Sequence, residues 1–146
     1  MADQDLGIYG EQLVKDWLIQ QGWEILHQRW HCRWGELDLV AKGHNAQGGN
    51  LSSQMLAFIE VKTRSRGNWD LDGLLSITPG KQRKLLTTAR LFLTRHPHLA
   101  KLPCRLDVAL VSCHTVQPKS GKAYLALPDG QRYLVLQDYL VNAISG

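Results

Sequence analysis

The stretch that decides the fold is Phe58-Ile59-Glu60-Val61-Lys62-Thr63-Arg64, an apolar run that carries a carboxylate and an ammonium two residues apart. Successive side chains on a β-strand point to opposite faces. Glu60 and Lys62 therefore stand side by side, about 6 to 7 Å apart along the chain. Ile59 and Val61 face the other way. Because buried strands seldom carry both charges on one face, we expect this face to have a polar role.

A second run of the same kind lies upstream, at Gly35-Glu36-Leu37-Asp38-Leu39-Val40-Ala41. Strand alternation puts Glu36 and Asp38 on one face. It puts Leu37 and Leu39 together on the other face. The two runs thus share one pattern, an apolar face backed by a charged one.

Residues 42–54, between the two runs, are rich in Gly, Asn and Ser and are typical of a flexible hairpin loop. A hairpin makes the two strands antiparallel neighbours, and this pairing can place Asp38 opposite Glu60. The register is inferred from the loop, and a slip of one residue would turn Asp38 to the other face. In register, the two strands bring three carboxylates and one lysine towards each other.

The rest of the chain alternates helix and strand patterns. Thr is a favoured N-cap and Pro a favoured first-turn residue, so Thr78-Pro79 is expected to begin a helix, which His96-Pro97 ends. The order of elements predicts an α/β fold. The other predicted elements are a helix over 6–21, strands over 23–30 and 105–113, a hairpin over 124–136 and a short helix to Ile144.

Glu11 is the unusual member of the first predicted helix. With about 3.6 residues per turn, it shares a face with Val14 and Leu18. Its carboxylate then points towards the core side of the helix. Two interpretations stay open, a role in a polar site and simple solvation at the helix edge.

Length and composition predict one domain over residues 1–146, since 44% of the residues are apolar. No run approaches the roughly 18 apolar residues of a membrane span, and the N-terminus lacks the regions of a signal peptide. We therefore expect a cytoplasmic protein without a membrane partner. Cys32, Cys104 and Cys113 form no C-x-x-C pair and are expected to be reduced thiols.

The net charge is +4, from 17 Lys and Arg against 13 Asp and Glu. If several acids line one site, the remaining surface is more basic than this balance indicates. Such a surface suits a polyanion, because Lys and Arg attract phosphate backbones and release counterions. Ordinary solubility explains the same charge equally well.

Converging carboxylates need compensation, because like charges repel and each loses hydration on burial. A hard divalent cation supplies it, and Mg²⁺ is commonly held by one or two carboxylates plus substrate phosphate oxygens. Asp38 and Glu60 are the predicted side-chain ligands, and the Val61 carbonyl adds a backbone oxygen. Lys62 then lies beside the metal, where it positions water and neutralises charge on phosphorus. These parts describe metal-assisted phosphodiester hydrolysis.

Five groups of residues, taken together, resemble one known family. They are, in chain order, Gly10-Glu11, residues 35–41, residues 58–64, Lys81 and Arg105-Leu106-Asp107-Val108. The string is similar to the YraN family of small bacterial proteins over roughly residues 7–111. Within it, an Asp followed by Glu-x-Lys on the next strand resembles the PD-(D/E)-x-K nuclease superfamily. The resemblance implies a restriction-endonuclease-like αβββαβ core, with a mixed central sheet flanked by helices.

The resemblance also assigns roles to residues. By similarity to archaeal Holliday-junction resolvases of that superfamily, the residues at metal and catalytic positions are Glu11, Asp38, Glu60 and Lys62. Leu37 stands where proline is common, which leaves the chemistry intact because the acid supplies the ligand. The Gly-rich loop is longer than is usual in the family.

The implied activity is that of a Mg²⁺- or Mn²⁺-dependent nuclease that hydrolyses phosphodiester bonds of DNA, structure-specific or resolvase-like in its action. One alternative is a non-catalytic nucleic-acid-binding module with an endonuclease-like fold. Another is a scaffolding domain in which the acids form an internal polar network. Superfamily members often work as dimers, because two cuts on opposite strands need two sites. A homodimer is therefore an open alternative to a monomer.

Several further residues carry two interpretations each. Glu36 is either an outer acid of the site or a strand-start carboxylate bonded to a backbone amide. Lys81 either contacts the scissile phosphate or is solvated in the first turn of its helix. Asp107 is either a site acid or, in the interpretation we favour, held by Arg105 as a structural pair.

Arg64, Arg66 and Trp69 follow the Glu-x-Lys strand. They are candidates for nucleic-acid binding, in which the arginines grip the backbone and the tryptophan stacks on a base. A tryptophan in a loop more often covers a core, which is the alternative. The six histidines show no spacing typical of a metal site.

Overall fold

The computed structural model describes residues 3–44, 53–67, 69, 73 and 77–145, with side chains from Leu6 onward. In these ranges the chain forms a mixed α/β structure with two helices and a six-stranded sheet. The elements are α1 (Asp3–Gln20), β1 (Glu24–Cys32), β2 (Gly35–His44), β3 (Gln54–Arg64), α2 (Pro79–Arg95), β4 (Cys104–His114), β5 (Tyr124–Ala126) and β6 (Tyr133–Ile144).

The strand order across the sheet is β1-β2-β3-β4-β6-β5. Only β3 and β4 pair in parallel within the described sheet, and the other neighbours are antiparallel. A parallel pair needs a crossover connection, and α2 lies in that connection. The run around Glu60 and Lys62 thus becomes a central strand of a mixed sheet.

The two helices cover opposite faces of the sheet. Alternation along β3 sends Ile59 into the cluster that contains α1 and Phe58 into the cluster that contains α2. Both side chains are 1% exposed. Full burial of a side chain of this size contributes about 1.5–3 kcal/mol, so a strand that fills two cores is a main source of stability.

The predicted boundaries of α2 are confirmed. The Thr78 side chain accepts a hydrogen bond from the backbone N–H of Lys81 at 3.2 Å, and Pro79 occupies the first turn. The helix ends at Arg95, with His96 as its C-cap ahead of Pro97. This N-cap fixes the first turn of α2, and with it Lys81, beside the sheet.

Two sequence predictions are wrong. Residues 42–44 continue β2 and are not part of a loop, while residues 45–52 lie outside the described part of the chain. The predicted hairpin over 124–136 is confirmed, since β5 pairs with the start of β6, but the segment after it, predicted as a short helix to Ile144, continues β6 as a strand. β4 is buried, with Val108 and Val111 at 0% exposure, and its backbone edge needs a hydrogen-bonding partner that only a strand supplies.

Asp107 is fully buried in β4 and anchors β6. One carboxylate oxygen accepts hydrogen bonds from Arg105 Nε at 3.1 Å and the Tyr139 hydroxyl at 2.7 Å. The other accepts from the backbone N–H of Asn142 at 2.8 Å. Burial, followed by the negative charge of Asp107, raises the pKa of Tyr139. The interpretation of Asp107 and Arg105 as a structural pair is therefore confirmed.

Gly10 allows α1 to approach β3 closely. A Cβ atom at Gly10 would collide with the Thr63 hydroxyl, whereas one at Gly7 meets nothing within 4 Å. We expect Gly10→Ala to destabilise the protein by about 1–3 kcal/mol through overpacking. Gly7→Ala should be neutral or stabilise by up to about 1 kcal/mol through helix propensity. Chemical denaturation measures both, and equal effects of the two substitutions would contradict a close contact at Gly10.

Among the described residues, no helix is long and apolar enough to cross a membrane. The three cysteines are free thiols, with Cys113 buried, Cys32 half-buried and Cys104 exposed. The absence of disulfides among them agrees with the sequence prediction.

Candidate functional site

Asp38 and Glu60 meet where β2 and β3 stop pairing. The antiparallel register joins Leu39 to Ile59, so the next position outward sets Asp38 opposite Glu60. The predicted hairpin pairing and its register are confirmed. Here the Asp38 side chain replaces a backbone acceptor: its Oδ2 accepts a hydrogen bond from the Val61 N–H at 2.8 Å.

The two carboxyl groups share a poorly hydrated space. Glu60 is 8% exposed. Burial, reinforced by the negative charge of Glu60, raises the pKa of Asp38 from 3.8 to about 8. Burial also raises the pKa of Glu60, although the charges of Lys62 and Lys81 oppose the rise. Because a hydrogen bond and electrostatic repulsion couple the two carboxyl groups, they share protons and titrate as a pair.

This pair makes the stability of the metal-free protein depend on pH. A carboxyl with a folded pKa above its unfolded value stabilises the fold below about pH 4, and this stabilisation is lost as the pH rises towards 8. At 1.36 kcal/mol per pKa unit, discounted for relaxation around the pair, the loss between pH 5 and 8 is about 1–3 kcal/mol.

Urea denaturation in EDTA at the two pH values measures this loss. Asp38→Asn removes the titrating group and should flatten the pH dependence. A variant with the same slope as the wild type would contradict a shared proton at Asp38.

Two lysines lie beside the carboxyl pair. Lys62 Nζ is 3.9 Å from Glu60 Oε1, which confirms that the two residues share a face. Burial, and then the nearby Lys81 ammonium, lowers the pKa of Lys62. Lys81 comes from the first turn of α2 and acts electrostatically on both Glu60 and Lys62. The first turn of α2 therefore brings Lys81 close to the acid pair on the central strand β3.

Glu11 lies at the margin of this site. Its charge raises the pKa of both Asp38 and Glu60, so α1 does bring it close. Its carboxylate, however, accepts a hydrogen bond from Arg29 Nε at 2.8 Å and forms an ion pair with that side chain. In this structure Glu11 is bound to Arg29 and does not join the carboxyl pair directly.

Arg29 is a member of the site that the sequence analysis missed. The register between β1 and β2 joins Gln28 to Leu39 and Trp30 to Leu37, which sets Arg29 opposite Asp38. Its φ of 52° is left-handed, which costs a non-glycine residue about 1–2 kcal/mol. Alternation gives no sign of such a backbone conformation. The only sequence signal was a basic residue within an otherwise half-buried strand.

One predicted face of β2 is wrong. Leu39 packs in the cluster with α1, but Leu37 packs in the cluster with α2. Alternation breaks down between them because β2 stops pairing with β3 at Leu39 and the partner residue on β1, Arg29, has a left-handed backbone. Glu36 is exposed. The pKa of Arg29 is raised mainly by its hydrogen bond to Glu11 and also by the negative charge of Glu36, so Glu36 lies near Arg29. A role of Glu36 as an outer acid stays a prediction.

The residues after β3 divide into two kinds. Trp69 packs against the core with α2, and its indole N–H donates to the Val111 carbonyl at 2.8 Å. The alternative that Trp69 covers the core is therefore confirmed. Arg64 and Arg66 are exposed, and the Arg64 guanidinium lies 5.8 Å from the centre of the Trp69 ring. Arg64 ends β3 two residues after Lys62, whereas Arg66 lines a cavity with Thr115 and Arg132.

The groups able to hold a cation are two carboxylates and one carbonyl. The N–H and C=O of a strand residue lie on the same edge, so the Val61 carbonyl faces the Asp38 side with its N–H. Across the described residues, no group of three or more His, Cys, Asp or Glu side chains gathers around a possible metal. The donor set of Asp38, Glu60 and Val61 therefore suits a cation that completes its shell with water or phosphate, as Mg²⁺ does.

Fold and site together define a mixed α/β protein with a buried acid pair, flanked by two lysines, where two central strands part. The chain belongs to the family described as Uncharacterised protein family UPF0102, whose model matches residues 10–111. This match confirms the resemblance to the YraN family. The matched range includes the acid pair, both lysines, Glu11 and Arg29.

Similar proteins occur in several cyanobacterial genera. A UPF0102 protein of Acaryochloris marina is 58% identical over 109 residues, which cover 75% of this chain and 63% of the relative. One of Trichodesmium erythraeum is 53% identical over 119 residues, covering 80% of this chain and 66% of the relative. One of Nostoc is 40% identical over 143 residues, which cover 98% of this chain and 96% of the relative. The chain thus spans less than two thirds of the first two relatives.

Proposed function

We propose that this protein is a Mg²⁺- or Mn²⁺-dependent nuclease that hydrolyses phosphodiester bonds of DNA, with a structure-specific or resolvase-like preference. One observation carries the proposal. Asp38 and Glu60 approach each other from neighbouring strands, at a break in the backbone ladder, with Lys62 Nζ 3.9 Å from Glu60. A buried arrangement that concentrates negative charge in this way has little structural benefit without a cation.

The order of elements supports the proposal. The sequence α1-β1-β2-β3-α2-β4 agrees with the αβββαβ core of restriction-endonuclease-like proteins. We propose that the chain is a single nuclease-like domain of that type, extended by β5 and β6. Function does not follow from fold alone, so the geometry of the site is the main support for nuclease activity.

The donor chemistry fits a hard divalent cation. Asp38 and Glu60 provide carboxylate oxygens and Val61 a carbonyl oxygen, which are the ligand types that Mg²⁺ and Mn²⁺ prefer. Burial is the main cause of the raised pKa values of both acids, and a bound cation would favour their charged forms. When bound, such a cation polarises a phosphoryl oxygen and lowers the pKa of a water molecule.

The chain's own residues then have separate roles. In hydrolysis, the oxygen of water forms a bond to phosphorus while the bond from phosphorus to the leaving alkoxide breaks. The water loses one proton and the alkoxide gains one. Lys62 donates hydrogen bonds to the water and to a phosphate oxygen, where negative charge increases in the transition state. Lys81 neutralises an adjacent phosphate. Glu11 orients the Arg29 side chain towards the same DNA strand through their hydrogen bond.

A cleavage assay tests this function. Branched, flapped, single-stranded and duplex DNA are incubated with the wild type and Glu60→Gln, with Mn²⁺ or EDTA. We expect Mn²⁺-dependent cleavage of at least one substrate, lowered at least a hundredfold in Glu60→Gln. Resolvase-like action needs two cuts on opposite strands, so we expect the active form on branched DNA to be a homodimer. No Mn²⁺-dependent difference between the two proteins on any substrate would contradict the proposal.

The second candidate function is a non-catalytic nucleic-acid-binding module. The ion pair between Glu11 and Arg29 favours it, because this pair holds a third carboxylate away from the acid pair. In that case DNA binding should be salt-sensitive and should survive Lys62→Ala, with no cleavage under any metal condition. Binding isotherms at several salt concentrations, run beside the cleavage assay, separate the two functions.

A further inference from the structure

The turn between β1 and β2 presents an exposed aromatic ring next to a cation. Trp34 is 53% exposed, and the Arg33 guanidinium lies 4.7 Å from the centre of its ring. An exposed tryptophan forms part of a core only if a neighbouring element covers it. We call Arg33 and Trp34 the hairpin tip.

Trp34 differs from the other tryptophans, all of which the structure describes. The other four are partly buried and pack against one of the two cores; they are Trp17, Trp23, Trp30 and Trp69. Trp34 belongs to neither cluster. Its indole ring therefore contributes little to folding, and its exposure calls for another role.

The hairpin tip is held in place by strand pairing and by packing on α2. Cys32 pairs with Gly35 across the turn. A Cβ atom at Gly35 would lie 2.8 Å from the Thr88 hydroxyl, so the hairpin packs closely on α2 at this point. Thr88 is itself 1% exposed and bonded to the Lys84 carbonyl at 2.7 Å. A fixed ring loses little entropy when a planar ligand stacks on it.

The tip lies at the same end of β2 as the acid pair. Asp38 is four positions after Trp34, which is about 13 Å at 3.3 Å per residue. A stacked nucleic-acid strand rises about 3.4 Å per nucleotide, so this distance equals about four base steps. An exposed arginine lies at each end of this distance, Arg33 at the Trp34 ring and Arg29 opposite Asp38.

We propose that the hairpin tip stacks an unpaired base of the DNA strand whose phosphate lies at Asp38 and Glu60. Stacking needs a base whose face is open, so the ligand is a single-stranded end, flap or unpaired junction arm. Every base has a π-face, so the contact selects for unpaired structure and not for sequence. The inference rests on the proposed function, because it specifies the substrate class of that site.

Binding in EDTA tests the stack apart from cleavage. The dissociation constant is measured by fluorescence anisotropy for a single-stranded oligonucleotide and for a blunt duplex of the same sequence. We expect Trp34→Ala to weaken single-strand binding about ten- to hundredfold and to change duplex binding less than threefold. Trp34→Phe should keep most of the single-strand affinity, since it keeps an aromatic face.

Val116 provides a matched control, because it is an apolar residue after β4 with 75% exposure. Val116→Ala should leave the affinity for the single-stranded oligonucleotide unchanged. Equal single-strand affinity of Trp34→Ala and the wild type would overturn the inference, as would absence of single-strand binding by the wild type.

The same oligonucleotides are then incubated with Mn²⁺. If Trp34→Ala changes neither cleavage nor binding, stacking on Trp34 is contradicted but nuclease activity is not. If binding depends on Trp34 and no cleavage occurs, nuclease activity is contradicted but stacking is not.

Discussion

Replacing Lys62 by methionine should lower the rate of DNA cleavage by about 10²–10⁴-fold while leaving the fold intact. The ammonium lies 3.9 Å from Glu60 and is 20% exposed, which puts it next to the carboxyl pair in a poorly hydrated space. Methionine keeps the length and apolar packing of the side chain but removes the charge. Because a positive charge near the acids is lost, stabilisation by Mn²⁺ should be equal to or larger than in the wild type.

Lys42 provides a matched control for Lys62. It lies on β2, is 30% exposed, and forms an ion pair with Glu24 at 4.0 Å, outside the acid pair. Lys42→Met should cleave DNA within about twofold of the wild type, since exposed ion pairs contribute little. Single-turnover rates with Mn²⁺ measure both variants. A Lys62→Met rate similar to that of Lys42→Met would show that Lys62 takes no part in the chemistry.

The second large effect concerns stability. Asp107→Asn should lower the free energy of unfolding by about 3–5 kcal/mol, because it leaves the Arg105 charge in a buried place without its partner. It also weakens the hydrogen bonds from Tyr139 and Asn142 that hold β6. For a chain of this size the fall in Tm is about 6–20 °C.

A surface pair of the same type serves as the control for Asp107. Asp129 and Arg132 form an ion pair at 2.7 Å with side chains 31% and 28% exposed. Asp129→Asn should lower the Tm far less than Asp107→Asn does, because surface pairs are screened by water and salt. Differential scanning fluorimetry measures both variants. A small effect at Asp107 would mean that β6 is held mainly by apolar contacts.

The buried acids Asp107 and Asp38 thus have opposite effects on the stability of the fold. Asp107 has three donors and one cationic partner, so its carboxylate stabilises the fold. Asp38 has one backbone donor and faces a second carboxyl group, so the metal-free pair opposes folding above neutral pH. Asp107 is satisfied by its neighbours, whereas Asp38 and Glu60 are not, which is the basis for the proposed cation site.

Much of the site could be predicted from periodicity. The alternation in β3 correctly put Glu60 and Lys62 on one face, because a central strand buried on both sides constrains every side chain. The hairpin register put Asp38 opposite Glu60, since a slip would have exposed the apolar set of both strands. The cap signal placed Lys81 at the first turn of α2.

The rest depended on contacts between distant segments. The left-handed backbone of Arg29 and its ion pair with Glu11 join β1 to α1, and no local pattern encodes either. The end of β6, from residue 137 to Ile144, was mistaken for a helix because its short apolar pattern fits both periods. What decided its conformation is the buried edge of β4, which a strand alone can pair with.

The most direct test of the cation site is thermal unfolding during titration with Mn²⁺, for the wild type, Asp38→Asn, Glu60→Gln and the control Glu24→Gln, whose exposed carboxylate pairs with Lys42. A ligand that binds only the folded state adds about 2.7 kcal/mol at a hundred times its Kd, which corresponds to a rise in Tm of about 5–10 °C here. We expect this rise for the wild type and Glu24→Gln and its loss in both site variants. An unchanged wild-type Tm at millimolar Mn²⁺, or an equal rise in all four proteins, would contradict a cation site at Asp38 and Glu60.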